Sequence, residues 1–262
     1  MKKLSIIKIG GNIIDQPDKL NSFLKVFAQI SGYKILIHGG GKIASFTAEK
    51  LGIPTKMVGG RRITDKASLD VVTMVYAGLL NKNIVAALQS HQCQAIGLTG
   101  ADANSILAKK RPVQEIDYGY VGDLSPDAVN LSIIESFLQQ NLVPVFSAIT
   151  HDGKGQLLNT NADTLAAALA STLSQTFQVS LVYCFEKQGV LRSPTDETSL
   201  IPILKASAVP ELQRQGVISD GMIPKLENAF TALNKGASEV IIGHADELHK
   251  LGKAAFGTKL IK

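Results

Sequence analysis

The chain has 262 residues, 45% hydrophobic and 19% charged, with a mean hydropathy of +0.15; it is long and apolar enough for one sizeable domain or two closely packed lobes, which excludes a disordered chain. The net charge of +5 and pI of about 9.1 could suit a nucleic acid, but the densest basic cluster is only Lys109, Lys110 and Arg111, with little aromatic interleaving, so a small anionic ligand is expected instead. No continuous apolar run of about 18 residues and no leader pattern precede or interrupt the first strand, so neither a membrane span nor secretion is expected, and the location expected is cytoplasmic.

In chain order, "KLSIIKIG" reads as a strand, and "PDKLNSFLKVFAQIS" follows with Leu20, Phe23, Leu24, Phe27 and Ile30 at helical spacing. "YKILIHGGG" and "KIASFTAEKLG" repeat the strand and helix, the helix stopping at Gly52 and Pro54. "TKMVGGRRIT" predicts a hairpin turning at Gly59-Gly60, after which Thr64-Asp65 can cap a long helix reaching about Ser90. "QAIGLTG" is a strand, and residues 105–124 suit a surface hairpin. "DAVNLSIIESFLQQN" is a helix and "LVPVFSAI" a strand, followed by helix "NADTLAAALASTL" and strand "VSLVYCF". "AVPELQRQG" and "IPKLENAFTALNKG" are helices, and "SEVIIG" is a strand. Strands separated by such helices imply an α/β protein with a mainly parallel sheet covered on both faces. Cys93 and Cys184 each lie in an apolar stretch, far apart, and read as buried thiols rather than a disulfide or metal framework.

Ligands of open parallel sheets bind beyond the carboxyl ends of the strands, where glycine turns admit backbone amides. Gly10-Gly11 ends the first strand, and Gly39-Gly40-Gly41 ends the second and opens a helix whose free N–H groups suit phosphate. Either group alone is most simply a tight turn; two at successive strand ends point to an anion. "GGGKIAS" is not a P-loop, because Ile43 follows Lys42, and no Gly-x-Gly-x-x-Gly occurs. Lys8, one residue before the first turn, either stabilises charge on a transferring phosphoryl group or snorkels to water.

"LLNTNADTLAAALA" sets Asn159, Asn161 and Asp163 before an alanine-rich helix; Asp163 taken alone is a helix cap, and the three together suit a ligand. Lys225 taken alone is a surface helix lysine. Arg61 and Arg62 flank the hairpin turn, where arginines are usually solvated but can also grip a carboxylate bidentately. The histidines show no zinc spacing, and His38 is assigned to its turn.

In this order "IIKIGG" (6–11), "IHGGG" (37–41), "GGRRIT" (59–64), "NTNAD" (159–163) and "SDGMIPK" (219–225) closely resemble the amino acid kinase family, in register over nearly the whole chain. The resemblance implies a three-layer αβα sandwich with an open, mainly parallel sheet, the carbamate kinase-like fold. It implies an N-terminal lobe, 1–175, for the acyl-amino acid and dimerisation, and a C-terminal lobe, 176–262, for ATP. The reaction implied is phosphorylation of the γ-carboxylate of N-acetyl-L-glutamate, the second step of arginine biosynthesis. N-succinyl-L-glutamate and a non-catalytic ligand sensor are the alternatives. A carboxylate of reference pKa about 4.3 is already a nucleophile at neutral pH and needs no general base, so catalysis should rest on cations and aligned amides.

By the same resemblance Lys8 and Lys225 stabilise the phosphoryl group from the two lobes, Asp163 holds both lysines, and Gly11, Gly40 and Gly41 cradle the group. Arg62 and Asn159 grip the α-carboxylate region, with Asn161 close by. Gly10, Gly39, Glu186, Gly189, Val217, Ile218 and Ser219 fall at phosphate or nucleotide positions, and Mg²⁺ bridges the ATP phosphates without protein ligands of its own. "CFEKQGVL" departs from the family pattern Thr/Ser-Asp-Val-x-Gly-Val-Leu, with Phe185, Glu186 and Lys187 in the variable part and Glu186 in place of the aspartate. Only seven residues precede Lys8, so an arginine-insensitive homodimer joined through the helix near 65–90 is expected, with no nucleic acid and no membrane as partners.

Overall fold

A computed structural model describes residues 1–193, 195–218, 222–253 and 256–262. The first half runs β1 (Lys2–Ile9), α1 (Gly11–Ile14), α2 (Pro17–Ala28), β2 (Tyr33–His38), α3 (Gly41–Lys50), β3 (Lys56–Val58) and β4 (Arg61–Ile63). A continuous helix follows as α4 (Lys66–Thr73), a π-helical segment (Met74–Leu80) and α5 (Asn81–Ser90), leading to β5 (Ala95–Leu98), β6 (Lys109–Lys110) and β7 (Gly122–Asp123). Then come α6 (Leu131–Gln139), β8 (Val143–Ser147), β9 (Ile149–His151), β10 (Leu157–Asn159), α7 (Ala162–Leu173) and β11 (Phe177–Phe185). The chain finishes with β12 (Ile203–Lys205), α8 (Val209–Arg214), α9 (Ile223–Asn234), β13 (Glu239–His244) and β14 (Thr258–Ile261).

Eight strands form one sheet in the order β12-β14-β13-β11-β1-β2-β8-β5. Every pairing in it is parallel except β13 with β14. Alternation along β1 decides which side chain meets which layer. Leu4 and Ile6 join the core formed with α6, α7 and α9 through Ile134, Leu169 and Ala229. Ile7 and Ile9 point the other way, toward Phe23, Phe27, Val72 and Ile84 on α2, α4 and α5. Helices thus cover both faces, the layered arrangement expected for βα alternation.

The hairpin at Gly59-Gly60 forms as expected, with both glycines at positive φ (54° and 73°), the backbone of a type I′ turn. Asp65 caps α4, its carboxylate accepting from Ser68 N at 2.8 Å. The helix Lys66–Ser90 is long and apolar enough to cross a membrane by length and composition alone; Leu69, Val72, Val75, Leu80, Ile84 and Leu88 are nevertheless buried in the core.

Three features differ from the sequence reading. The stretch expected as one strand over 142–149 divides into β8 and β9, and β9 pairs antiparallel with β10. Segment 105–124 makes only the short β6–β7 ladder. It is not a free surface hairpin, because isolated bridges tie Gly119 to Thr64 and Val121 to Asn159. The edge strand β12 and its neighbour β14 had no signal strong enough to be read as strands, being three and four residues long. Cys93 and Cys184 are free and buried, as expected, and burial pushes the Cys184 thiol up to about 12, which leaves it unreactive.

Candidate active site

A cavity of about 270 Å³ lies over the carboxyl ends of β1, β2 and β10. Lys8, Gly11, Gly39, Gly40, Gly41, Arg61, Arg62, Asn159 and Asn161 line it, so the structure brings together most of the residues singled out from sequence. Larger cavities of about 660 and 630 Å³ sit at the opposite, amino ends of the strands, lined by Lys3, Gln178 and Glu239 or by Lys2, Tyr33 and Cys93. Neither contains a glycine turn facing a helix N-terminus together with a lysine–aspartate pair, so chemistry rather than size selects the smaller one.

Lys8 does not snorkel from an edge. Its strand is central, hydrogen-bonded to β11 and β2 on its two sides, and the residue is only 8% exposed. The alternation that buries Leu4 and Ile6 carries Lys8 to the same face, where the first turn of α7 meets it. Lys8 Nζ lies 2.7 Å from Asp163 Oδ1, an ion pair whose angle falls outside hydrogen-bond geometry. Asp163 is free for this because Asn161, not Asp163, caps α7: its Oδ1 accepts from Asp163 N and Thr164 N, both at 2.9 Å. The simple reading of Asp163 as the cap is therefore corrected by two residues.

Lys225 sits in the first turn of α9 with its Nζ 4.1 Å from the centroid of the Phe185 ring. It is half-buried, not a solvated surface lysine; burial lowers its pKa, Asp163 and Glu186 oppose that shift, and Lys8 adds to it. Lys8 thus pairs with Asp163, while Lys8 and Lys225, from opposite halves of the chain, approach one aromatic ring, that of Phe185.

Gly39-Gly40-Gly41 turns β2 into α3. Gly40 has φ +153°, and a Cβ there would lie 2.2 Å from Leu80 Cδ1 and 3.2 Å from the Tyr76 ring, so the turn can pack under the cavity only without a side chain. His38 before it is fully buried and anchors the turn, as expected: Nδ1 is 2.9 Å from Gly39 O and Nε2 is 3.0 Å from Asn81 Nδ2. Burial lowers its pKa to about 4, so the ring is neutral, donating through Nδ1 and accepting through Nε2.

Arg62 is buried, not solvated. Its Nη1 donates to Thr55 Oγ1 at 3.0 Å and its Nη2 to Gly41 O at 3.0 Å and Ser45 Oγ at 2.7 Å, which ties the hairpin to the start of α3. Thr64, unnoticed in the sequence except as a possible cap, connects this arginine to Asn159. Its hydroxyl donates to Arg62 O at 3.1 Å and accepts from Asn159 Nδ2 at 3.0 Å. A hydroxyl has one proton to give, so Asn159 Oδ1 receives nothing from Thr64 and remains an acceptor beside the cavity with no donor among the described residues. Arg111 and Asp123 also line the cavity. The Arg111 Nε donates to Asp123 Oδ1 and Oδ2 at 3.1 and 3.0 Å, and this carboxylate raises the guanidinium pKa. Nothing in the run "KKR" distinguished its third member from its neighbours.

The positions expected around the nucleotide are less uniform. Glu186, exposed at the end of β11, accepts from Asn12 Nδ2, and Asn12 Oδ1 accepts in turn from Lys42 Nζ. Gly10 donates its N–H to Cys184 O at 2.9 Å and lies against Phe185. Gly189 packs against Thr258 and Leu200, and Ile218 is buried in the core, so neither lies among the residues lining the cavity. Val217 is half-buried just beyond α8, its N–H donating to Leu212 O. Ser219 lies outside the described residues.

The model of the amino acid kinase family matches residues 3–244. The acetylglutamate kinase of Cytophaga hutchinsonii is 54% identical over 264 residues, covering 100% of this chain and 99% of that protein. The acetylglutamate kinase of Phocaeicola vulgatus is 52% identical over 249 residues, covering 95% and 96%. Among solved structures, N-acetylglutamate synthase from Neisseria gonorrhoeae, complexed with coenzyme A and N-acetyl-glutamate, superimposes with a TM-score of 0.83 at 20% identity; the chain is fully covered but spans 59% of that longer protein. Carbamate kinase from Giardia lamblia bound to AMP-PNP gives a TM-score of 0.69 at 14% identity, covering 100% of this chain and 98% of that one. These last likenesses carry the fold, and the curated relatives carry the kinship: the chain belongs to the amino acid kinase family.

Proposed function

We infer that the chain is the ATP-dependent kinase of N-acetyl-L-glutamate, forming N-acetyl-L-glutamyl 5-phosphate in arginine biosynthesis. The full-length relatives at about half identity support the activity. The observation that carries the chemistry is Lys8, paired with Asp163, in one cavity with the two glycine turns, and Lys225 brought beside Lys8 at the Phe185 ring.

The γ-carboxylate attacks the γ-phosphorus of ATP as a new O–P bond forms and the bond to the β-phosphate oxygen breaks, leaving ADP. Two anions must meet, and Lys8 from one side and Lys225 from the other offset the charge on the transferring group. Asp163 keeps the lysines apart from each other and aimed inward. The Gly11, Gly40 and Gly41 amides and the N-terminus of α3 add donors at no reorganisation cost. Arg62 and Asn159 hold the amino-acid end, and the unused Asn159 Oδ1 accepts from the amide N–H that distinguishes an N-acyl amino acid from a free one, with Asn161 alongside. Among the described residues no three His, Cys, Asp or Glu side chains converge on a metal position. Mg²⁺ would therefore arrive on the ATP phosphates and shield them, with Asp163 and Glu186 the carboxylates whose charge bears on Lys225.

The N-terminal lobe, to about residue 175, takes the acyl-amino acid, and the rest takes ATP. Phe46 on α3 and Met74 and Leu79 on the long helix are more than half exposed, which suits pairing with a second copy as an arginine-insensitive cytoplasmic homodimer; light scattering with and without millimolar arginine tests both points.

A second reading, N-succinyl-L-glutamate as substrate, is favoured by Arg61, which lines the same cavity and makes no ion pair among the described residues. The experiment that tests these readings is ADP release with ATP and Mg²⁺, comparing the acetyl and succinyl compounds with L-glutamate and L-aspartate. Preference for the acetyl compound is expected. Preference for the succinyl one would keep the mechanism and change the substrate, and no release on any of them would refute the kinase.

A further inference from the structure

The departure "CFEK" places a phenylalanine, Phe185, where the family pattern has threonine or serine. Phe185 is the last residue of β11 and only 7% exposed. Its ring centroid lies 5.0 Å from Lys8 Nζ and 4.1 Å from Lys225 Nζ. The ring is held by two neighbours. Tyr183, two residues earlier on the same face, stacks on it with centroids 6.3 Å apart and planes 3° apart. Gly10 also lies against it: a Cβ there would come within 3.2 Å of Phe185 Cδ1.

We propose that Phe185 is a positioning residue for phosphoryl transfer, a shared cation–π surface that holds both lysine ammonium groups in the site. The proposal rests on the assignment of Lys8 and Lys225 to the phosphoryl group. Two ammonium groups brought together repel each other until the phosphates arrive. A second carboxylate would relieve that repulsion but would also compete with the phosphates for the lysines. The negative face of an aromatic ring attracts both cations without neutralising either. Lys8 has Asp163 as an ion-pair partner; Lys225 makes no ion pair among the described residues and lies against the ring. The charged groups bearing on it are Asp163, Lys8 and Glu186, and none of these changes when the ring is replaced.

The test compares Phe185→Leu, which keeps an apolar side chain without a π face, with Phe185→Tyr, which keeps the face. Phe185→Leu should lower kcat on the order of tenfold, as expected for loss of a desolvated cation–π contact, with the KM for N-acetyl-L-glutamate nearly unchanged. Because the ring favours the charged lysine, its loss should also move the alkaline limb of the kcat profile to lower pH. Phe185→Tyr should restore both readouts. In a Lys225→Ala background the leucine substitution should cost clearly less than it does alone. Thermal unfolding checks that each variant is folded, and Phe185→Met replaces the leucine variant if that one is not. Wild-type kcat and pH limb in Phe185→Leu, alongside a Lys225→Ala variant with strongly reduced but measurable kcat, would overturn the proposal and leave the site assignment standing. Wild-type turnover in Lys225→Ala would remove the assignment itself, and the proposal with it.

Discussion

The Thr64 hydroxyl accepts from Asn159 Nδ2 across 95 residues of sequence, at 3.0 Å, while giving its own proton to the Arg62 carbonyl. This fixes which end of the Asn159 amide is left for a ligand. Thr64→Val should therefore raise the KM for the acyl-amino acid by an amount matching roughly 1–3 kcal/mol, the cost of leaving a buried polar group unpaired. Thr64→Ser should return most of it. Equal KM values in the valine and serine variants would show that the hydroxyl does not orient Asn159.

Lys8→Ala should fold and lose kcat on the order of a hundredfold or more, as when a donor to a developing charge is removed. Circular dichroism and ADP release on the same sample separate the two effects. Near wild-type turnover by a folded Lys8→Ala protein would refute the role given to this lysine. Asp163→Asn should lose kcat too, because the neutral amide cannot pair with the Lys8 ammonium.

His38 gives the pH dependence of stability a definite sign. Its folded pKa of about 4 lies below the ordinary value of 6.5, so the unfolded chain binds the proton more readily between these values. Stability is complete above the unfolded pKa and falls as pH drops toward 4, by roughly 3 kcal/mol from this group if the whole shift is realised. Urea midpoints measured from pH 7 to pH 4 should show a steeper acid loss in the wild type than in His38→Gln. Parallel curves would rule out the buried neutral imidazole as the source.

Glu186 reaches Asn12, and through it Lys42, which links the end of β11 to both glycine turns. Shortening it with Glu186→Ala should weaken binding of an ATP analogue several-fold by calorimetry, on the scale of a hydrogen bond to a charged group, and leave the affinity for the acyl-amino acid unchanged. Loss of the latter instead would move Glu186 to the other half of the site.

Much of the site was legible because it is built from short local motifs. Gly39-Gly40-Gly41 announces a strand-to-helix turn, and Lys8 is conspicuous as a charge among isoleucines. What sequence could not supply is direction and competition. Asn161 and Asp163 are equally good caps on paper; only the backbone angle into α7 decides that Asn161 takes the N–H groups and leaves the carboxylate to Lys8. Thr64 and Arg111 were missed for a different reason, since their partners Asn159 and Asp123 are named by tertiary contact. The strands β12 and β14 escaped because runs of three and four residues carry little periodicity, and β14 owes its place to pairing with β13 on one side and β12 on the other.

The π-helical turn at Met74–Leu80 has a consequence for the phase of the long helix. A π turn holds one residue more than an α turn over the same path, so residues before and after it are set on faces that a uniform 3.6-residue period would not align. Tyr76 and Leu80 lie against Gly40 while Asn81 reaches His38 and Val145 O. Removing one residue from this turn would restore a regular helix and rotate one group of contacts away from the other by about 100°, the angular step of an α-helix. The surplus residue is thus what lets a single helix support both His38 at the end of β2 and Gly40, two residues on, in the glycine turn.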